Sequence, residues 1–546
     1  MPPAKTESAP YEKSIKKPKL LDNVLKYTPT KEIPEIISRL NRSFHEDGKT
    51  HKLQYRLNQL RNLYFAIRDN KEQICDALFK DFNRSPSETM NMEYAVVMGH
   101  LIHTMSHLHK WAAPEKVSDV PINMRTNPVY IERIPLGTVL VISPFNYPLV
   151  LAVESIAAAI AAGNCVVLKP AESTPHFSQL LTDILTKAMD PDTFAMINGA
   201  IEETTVLLDQ KFDKIMYTGS TQVGTIIAKK AAETLTPVLL ELGGKSPGFV
   251  LEDVKDSDLK VIARRIVWGR YTNAGQTCVA IDYVLVHEKV KAKLVDTIAK
   301  VMKEEFYEDL TPRSTGYTHM IHRRAYEGVK KMIETTGGTV VVGGETDEKS
   351  NYVSPTLIDN VGWDDSTMRQ EIFGPVLPVI TYTNLEEAVS QVVKRHDTPL
   401  ALYIFTSGSL LREKNPQVEL IRRSIRSGGT IVNDSILQVG LHNAPFGGIG
   451  YSGQGAYHGF YSYRAFTHER TTIELSLAMD FVSQVRYPPA NDRKDAVVQS
   501  AQEAYNGAVW FSRTGNVAVG GPGLLWSAWH TTVGLGRLVS NVLGSL

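Results

Sequence analysis

Cys278 stands in the run YTNAGQTCVA, from Tyr271 to Ala280, behind Asn273, Gly275, Gln276 and Thr277. A structural cysteine packs as a small hydrophobe, whereas this polar, backbone-flexible lead-in favours a turn that presents the sulfur to a cleft. Covalent catalysis by a thiol needs a base, a donor for the oxyanion and a destination for electrons or a leaving group. Glu241, in LELGGKSP from Leu240 to Pro247, closes an apolar stretch beside a Gly-Gly pair. A carboxyl in such surroundings has a raised pKa and can act as a general base; a buried structural ion pair is the alternative. Asn146, in ISPFNYP, follows a predicted strand, and its amide can donate to an oxyanion.

A second set of residues suits a nucleotide. YTGSTQVG, from Tyr217 to Gly224, places Gly219, Ser220 and Gly224 between a predicted strand and a predicted helix, where backbone amides can meet phosphate. The G-x-G-x-x-G spacing is absent, so an ordinary strand-to-helix turn stays open. LKPAE, from Leu168 to Glu172, supplies Lys169 and Glu172 at the end of the preceding strand. A carboxylate there accepts ribose hydroxyls and repels a 2′-phosphate, which favours NAD over NADP.

The elements that must position these groups alternate. After Pro135, GTVLVISPFN, CVVLKPAE and KIMYTGS read as strands, and LVLAVESIAAAIAA, PHFSQLLTDILTKAM and TQVGTIIAKKAAET as helices. That order implies an α/β fold, a parallel sheet with crossover helices that binds ligands beyond its carboxyl ends. A second α/β half follows Gly243, with SPGFVLED, DYVLVHEK, TVVVGGE, VLPVITYT and ALYIFTS as strands. From GGTIVND to about Ile473 the chain reads as extended segments and glycine turns, with a short helix near His458. Residues 31 to about 117 have helical periodicity, and residues 1–30, with scattered prolines and lysines, read as a disordered tail without a secretory signal.

Length alone implies two or three domains. Lys+Arg and Asp+Glu balance at 59 each, which gives no global reason to expect nucleic acid. Three cysteines, Cys75, Cys165 and Cys278, are too few for a disulfide framework and imply a reducing compartment. Cys75 and Cys165 sit in apolar surroundings as packing residues. The stretch Met90–Trp111 carries histidines at 100, 103, 107 and 109. Carboxylates are scarce nearby, so no metal site is expected; a Met-rich wall of an apolar pocket is the sharper reading.

Taken together, ISPFNYP, LKPAE, TGSTQVG, LELGGKSP, NAGQTC, MRQEIFGPVLPV and PFGGIGYSGQG closely resemble the aldehyde dehydrogenase superfamily, in its order, over about Ile33 to Arg470. RRIVWGRYTNAGQTCVAIDYVLVHEK, SGGTIVNDSILQVGLHNAPFGGIGYSG and FTHER narrow the resemblance to the class 3 and fatty aldehyde branch, whose fungal members include apocarotenal dehydrogenases of carotenoid biosynthesis. It implies that Cys278 attacks the aldehyde, that Asn146 and the Cys278 N–H hold the oxyanion, and that Glu241 activates water. It also implies NAD, with NADP as the alternative: Lys169 and Glu172 on the adenosine ribose, Gly219, Ser220 and Gly224 at the pyrophosphate turn, Glu371 and Phe373 on the nicotinamide side. Phe145 stands where many relatives carry Trp, and Leu251–Lys260 reads as a slightly long surface loop.

The implied architecture is an NAD-binding domain from residues 31–120 and 138–242 and a catalytic domain from 243–432. Residues 121–137 and 433–473 form bridging strands that pair subunits into a homodimer. Residues 474–546 form a C-terminal extension, in which AVVQSAQEAYNGAVWF reads as a helix. Between Arg513 and Arg537 the chain has no formal charge, yet its glycines and Pro522 make it a poor spanning helix. Leu535, Leu538, Val539, Val542 and Leu546 share one helical face, and Trp510, Trp526 and Trp529 suit an interface. A membrane-surface tail is therefore favoured over a spanning anchor or an apolar lid. It places the enzyme on the cytoplasmic side of an intracellular membrane, such as the endoplasmic reticulum, the mitochondrial outer membrane or a lipid droplet, and otherwise in the cytosol. The expected substrate is a long-chain fatty or apocarotenoid aldehyde. General class 3 detoxification of medium-chain or aromatic aldehydes, an acylating enzyme that passes its thioester to coenzyme A or phosphate, and a membrane-recruited scaffold are the competing readings; Glu241 argues against the acylating one.

Overall fold

The computed structural model describes residues 25–519, apart from 119, 121–123, 125–126, 309, 411–414, 481–483, 503–508, 511–512 and 515. The chain divides into two compact units, Met1–Ala113 with Arg133–Glu469, and Pro114–Glu132 with Arg470–Leu546.

Among its described residues the first unit contains two large sheets and a two-stranded one, Thr346–Asp347 with Tyr352–Val353. In the first sheet, the strands Thr138–Ile142, Cys165–Lys169, Lys214–Gly219 and Val238–Leu242 are apolar runs without alternation, as expected of parallel strands covered on both faces. Its order is Gly453–Gln454, Val238–Leu242, Lys214–Gly219, Thr138–Ile142, Cys165–Lys169, Phe194–Met196, and only Gly453–Gln454 runs antiparallel. The chain first builds outward from Thr138–Ile142 on one side, then returns to build on the other. That reversal opens a crevice at the carboxyl end of Thr138–Ile142. The helix Pro148–Ala162 starts with a proline whose fixed φ suits the first turn and stops at Gly163, φ 94°. Its alanines let the helices Leu53–Arg68 and Ala95–Trp111 pack closely, and nearly every side chain on it is buried.

The second sheet orders Thr339–Val342, Thr356–Asp359, Val376–Tyr382, Tyr283–His287, Pro247–Val250, Ala401–Phe405 and Gly429–Val432. All its neighbours are parallel except the first pair. Phe249, Tyr283, Leu285, Ile358, Ile380, Leu402 and Ile404 form a core on one of its faces.

The second unit carries its own ties. Glu132 accepts hydrogen bonds from Arg470 Nη2 at 2.8 Å and Thr472 Oγ1 at 2.6 Å, and the Tyr130 hydroxyl donates to Glu474 at 2.6 Å. A helix covers Asp492–Gln502.

Several expectations need correction. The tail expected through residue 30 already packs at Leu25, and the Lys26 and Thr28 amides donate to Gln179 Oε1 and the Asn198 carbonyl. Leu251–Lys260 is only in part a surface loop: Lys255, Asp256, Ser257 and Lys260 are exposed, but Leu251 and Val254 are buried and a helix starts at Asp256. The helix expected through Phe511 gives way to a strand at Val509–Trp510, paired antiparallel with Ala518–Val519; the Asn506-Gly507 pair is a poor continuation of a helix. The apolar face from Leu535 to Leu546, Trp526 and Trp529 lie outside the described residues, as do residues 1–24. Among the described residues no helix is long and apolar enough to cross a membrane.

Candidate active site

Cys278 is reached through a strained turn. The helix Asp256–Tyr271 ends on it, and Asn273, Ala274 and Gly275 then take left-handed backbone with φ of 57°, 51° and 71°. Such residues cost on the order of 1–2 kcal/mol each when they carry a side chain, so the turn persists only because its surroundings hold it. At Gly275 a Cβ would collide with the Gly374 carbonyl, which leaves glycine as the fitting residue. Asn273 Nδ2 donates to the carbonyls of Asn146, at 2.9 Å, and Gln276, at 3.0 Å. Gln276 in turn donates to the His319 carbonyl at 3.0 Å and accepts from the Ile321 N–H at 3.0 Å. The result is a partly buried cysteine on a fixed backbone.

Glu241 faces that thiol from the adjoining strand, 1% exposed. Burial pushes its carboxyl up to about 8, and a hydrogen bond from Cys278 pulls the other way. Burial first, then the negative charges of Glu241 and Glu371, push the Cys278 thiol well above its ordinary value, while the Val279 N–H opposes the shift. The thiol therefore depends on a base to ionise, and a base near neutrality stands beside it. Asn146, 3% exposed, comes from the loop that ends the strand Thr138–Ile142 and lines the same cavity as Cys278. Beside it, the Tyr147 and Thr277 hydroxyls share a hydrogen bond of 2.8 Å.

That cavity, about 650 Å³, runs from Cys278, Glu241 and Asn146 along the carboxyl ends of the parallel strands to Lys169, Glu172, Gly219 and Ser220. Lys169 is buried and donates to Glu172 at 2.5 Å, so a cation and a carboxylate stand together at one end. Ser220 caps the helix Thr221–Ala232 by accepting from the Val223 N–H at 3.4 Å, leaving the helix N-terminus open to an anion. Near the thiol, Glu371 and Phe373 close the wall; Phe373 meets Phe145 edge-on at 5.8 Å. Burial first, then the Asp282 charge, holds the Glu371 carboxyl well above the usual range, and the Gly244 N–H that bonds it opposes this. Charged and polar groups spaced along a cavity this long, with a helix N-terminus midway, fit a dinucleotide.

Ten of the lining positions that matter to that fit were among or beside the expected ones: Cys278, Glu241, Asn146, Phe145, Lys169, Glu172, Gly219, Ser220, Glu371 and Phe373. A slot of Ile201, Leu208, Val223 and Ile226 between two helices was not; Ile201 in it is 84% exposed, and the slot is an apolar groove for a flat ring. Sequence reasoning passed over it because a surface helix with apolar residues carries no motif. Gly224 needs the opposite correction: it lies one turn inside the helix Thr221–Ala232, away from the cavity lining, where a Cβ would meet Leu242 Cδ2 at 2.6 Å. Its role is to let helix and strand approach. The histidine stretch also departs from expectation. Glu154, from the helix Pro148–Ala162, bonds His100 and lies 3.5 Å from His458, so a carboxylate partner is present after all. His442 packs on His100 with ring centroids 4.7 Å apart. Among the described residues no group of three or more His, Cys, Asp or Glu is arranged to hold a metal.

Comparison with known proteins points the same way. The sequence profile of the aldehyde dehydrogenase family matches residues 23–472. The chain is 41% identical over 510 residues to the fatty aldehyde dehydrogenase HFD1 of Saccharomyces cerevisiae, covering 90% of this chain and 94% of that one. It is 37% identical over 526 residues to the beta-apo-4'-carotenal oxygenase of Neurospora crassa, covering 96% and 93%. Among solved structures, the substrate-bound state of Staphylococcus aureus AldH is similar, with TM-score 0.79 and 35% identity over 84% of this chain and 96% of that one.

Proposed function

The chain belongs to the aldehyde dehydrogenase family, as an NAD(P)-dependent oxidoreductase of the class 3 and fatty aldehyde branch, and from that premise we propose that it oxidises long-chain fatty or apocarotenoid aldehydes to their carboxylic acids. Relatives named for fatty aldehydes and for an apocarotenal support a hydrophobic substrate. The observation that carries the reading is the convergence of Cys278, Glu241 and Asn146 at one end of a cavity that fits a dinucleotide.

The chemistry follows from the groups. Glu241 accepts the thiol proton of Cys278, and the sulfur adds to the aldehyde carbon to give a thiohemiacetal. The Asn146 amide and the Cys278 N–H stabilise its oxyanion. When bound, the dinucleotide supplies the hydride acceptor that lets the thiohemiacetal become a thioester. Glu241 first gives the thiol proton up to solvent and then takes one from water, which attacks the thioester carbon; the C–S bond breaks, the Cys278 thiolate takes that proton back and the acid leaves. Lys169 and Glu172 would hold the adenosine ribose, Gly219 and Ser220 the pyrophosphate, and Glu371 with Phe373 the nicotinamide side. Glu172 favours NAD, because its charge opposes a 2′-phosphate.

Two relatives bear the name dimeric NADP-preferring aldehyde dehydrogenase, which supports a homodimer here. The C-terminal extension would bring the enzyme to a membrane surface on its cytoplasmic side, where such aldehydes dissolve. NADH formation from aldehydes graded from short saturated to long polyene, by the full chain and by a truncation after Pro489, tests the proposal. Activity should rise with chain length, and the truncation should lose it selectively on membrane-borne substrate. A preference for short aldehydes with no effect of truncation would point to soluble, general detoxification.

A further inference from the structure

We propose that Arg84 is a positioning residue that locks the oxyanion-binding amide of Asn146 to the turn that carries Cys278. Arg84 is fully buried, a costly place for a guanidinium unless its donors are matched; Nε has no partner among the described residues, and both terminal nitrogens are engaged. One terminal nitrogen donates to Glu93, and the other donates both to the Asn146 carbonyl and to Asn273 Oδ1. The guanidinium lies over the Phe82 ring at 4.4 Å and the Tyr147 ring at 5.0 Å, so it cannot swing away. Glu93 passes the constraint on, because its second oxygen accepts from the amides of Leu149, at 2.7 Å, and Val150, at 3.1 Å, in the first turn of the helix Pro148–Ala162. Asn273 is held from its other side by its own N–H, which donates to Glu88 Oε1 at 2.6 Å; Glu88 Oε2 accepts from Thr318 Oγ1 at 2.7 Å.

The consequence is geometric. The two donors that would meet the oxyanion, the Asn146 amide and the Cys278 N–H, sit on segments far apart in sequence, and neither pairs with the other as a strand would. The Asn273 amide already reaches the Asn146 carbonyl, and a planar cation triangulates that bond by holding the same carbonyl and the Asn273 oxygen with one nitrogen. A lysine is a point donor without that fork and would serve Glu93 or the turn, not both. Misplaced oxyanion donors are expensive, since loss of one costs about 10²–10³ in rate. The inference rests on the proposed roles of Asn146 and Cys278.

The test is a double-mutant cycle in the full-length enzyme. Arg84→Lys should lower both the hydride-transfer burst and thioester hydrolysis by about 10- to 100-fold, with NAD binding by fluorescence little changed. Combined with Asn146→Ala, it should add almost nothing to the loss caused by Asn146→Ala alone. Turnover within twofold of the parent, or losses that multiply, overturns the role. Should Arg84→Lys fail to fold, Asn273→Asp keeps the oxygen that Arg84 meets and removes only the direct bond to the Asn146 carbonyl, whereas Asn273→Ala removes that oxygen as well. The loss of about 10- to 100-fold is expected of Asn273→Ala and not of Asn273→Asp, and equal turnover in the two variants would refute the lock. An active Cys278→Ala enzyme would instead sink the underlying assignment, and an unaffected Arg84→Lys beside an inactive Cys278→Ala sinks the positioning role alone.

Discussion

Raising the pH from 7 to 9 should accelerate thioester hydrolysis about tenfold. The base must be ionised to take a proton from water, and burial lifts the Glu241 carboxyl from 4.5 to about 8. At pH 7 roughly a tenth of the enzyme then carries the active carboxylate, and at pH 9 roughly nine tenths. Stopped-flow release of acid after a single hydride burst isolates the step, and its rate should climb with a midpoint near pH 8. Glu241→Gln should flatten the climb and lower the rate by about 10²–10⁴. The same shift has a consequence for stability, with the opposite sense. A carboxyl whose folded-state pKa lies above its unfolded one binds its proton more tightly when folded. Its contribution is therefore complete below pH 4.5 and lost as pH rises through about 8. The full cost of ionising it in place is on the order of 5 kcal/mol, so Glu241→Gln should gain melting temperature over the parent at pH 9 and not at pH 4. A hydrolysis midpoint below pH 6, or a climb that survives in Glu241→Gln, would refute the reasoning.

The remaining predictions concern the thiol and the ribose end. Cys278→Ala should abolish NADH formation from every aldehyde while leaving NAD binding intact, measured by absorbance and by equilibrium titration. Glu172→Gln should raise kcat/KM with NADP relative to NAD by about tenfold or more, since it removes a charge that faces a 2′-phosphate; an unchanged ratio would place cofactor choice elsewhere.

Local chemistry was readable wherever a motif and its element coincide. Strand-ending LKPAE and LELGGKSP place Lys169, Glu172 and Glu241 at the carboxyl ends of parallel strands, because unbroken apolar runs reveal fully covered strands. What escaped was set by distance along the chain. Arg84 looks like a surface arginine until Glu93, Asn146 and Asn273 are brought around it. Glu154 reads as an interruption in an alanine-rich helix, and only the packing of that helix on Ala95–Trp111 gives it His100. Gly224 misled for another reason: a glycine that relieves a helix–strand contact has the same letter as one that turns a loop. In Leu251–Lys260 the charges read as loop, while the burial of Leu251 and Val254 depended on the packing beneath them.

The antiparallel strand Gly453–Gln454 pairs Gly453 with Glu241 across the outer edge of the first sheet. On the ribosome, every residue named by the chemistry, the last of them Phe373, has been made long before that edge is closed. A nascent chain that stops short of Gly453 holds nucleophile, base and cofactor contacts, but presents the strand of Glu241 with an open row of backbone donors and acceptors. Synthesis therefore passes through an interval of about 80 residues, some seconds at ordinary elongation rates of about 5–20 residues per second, in which the half-built molecule can pair with a neighbour in place of its own later segment. Chaperone demand and the yield of active enzyme should both be decided in that interval.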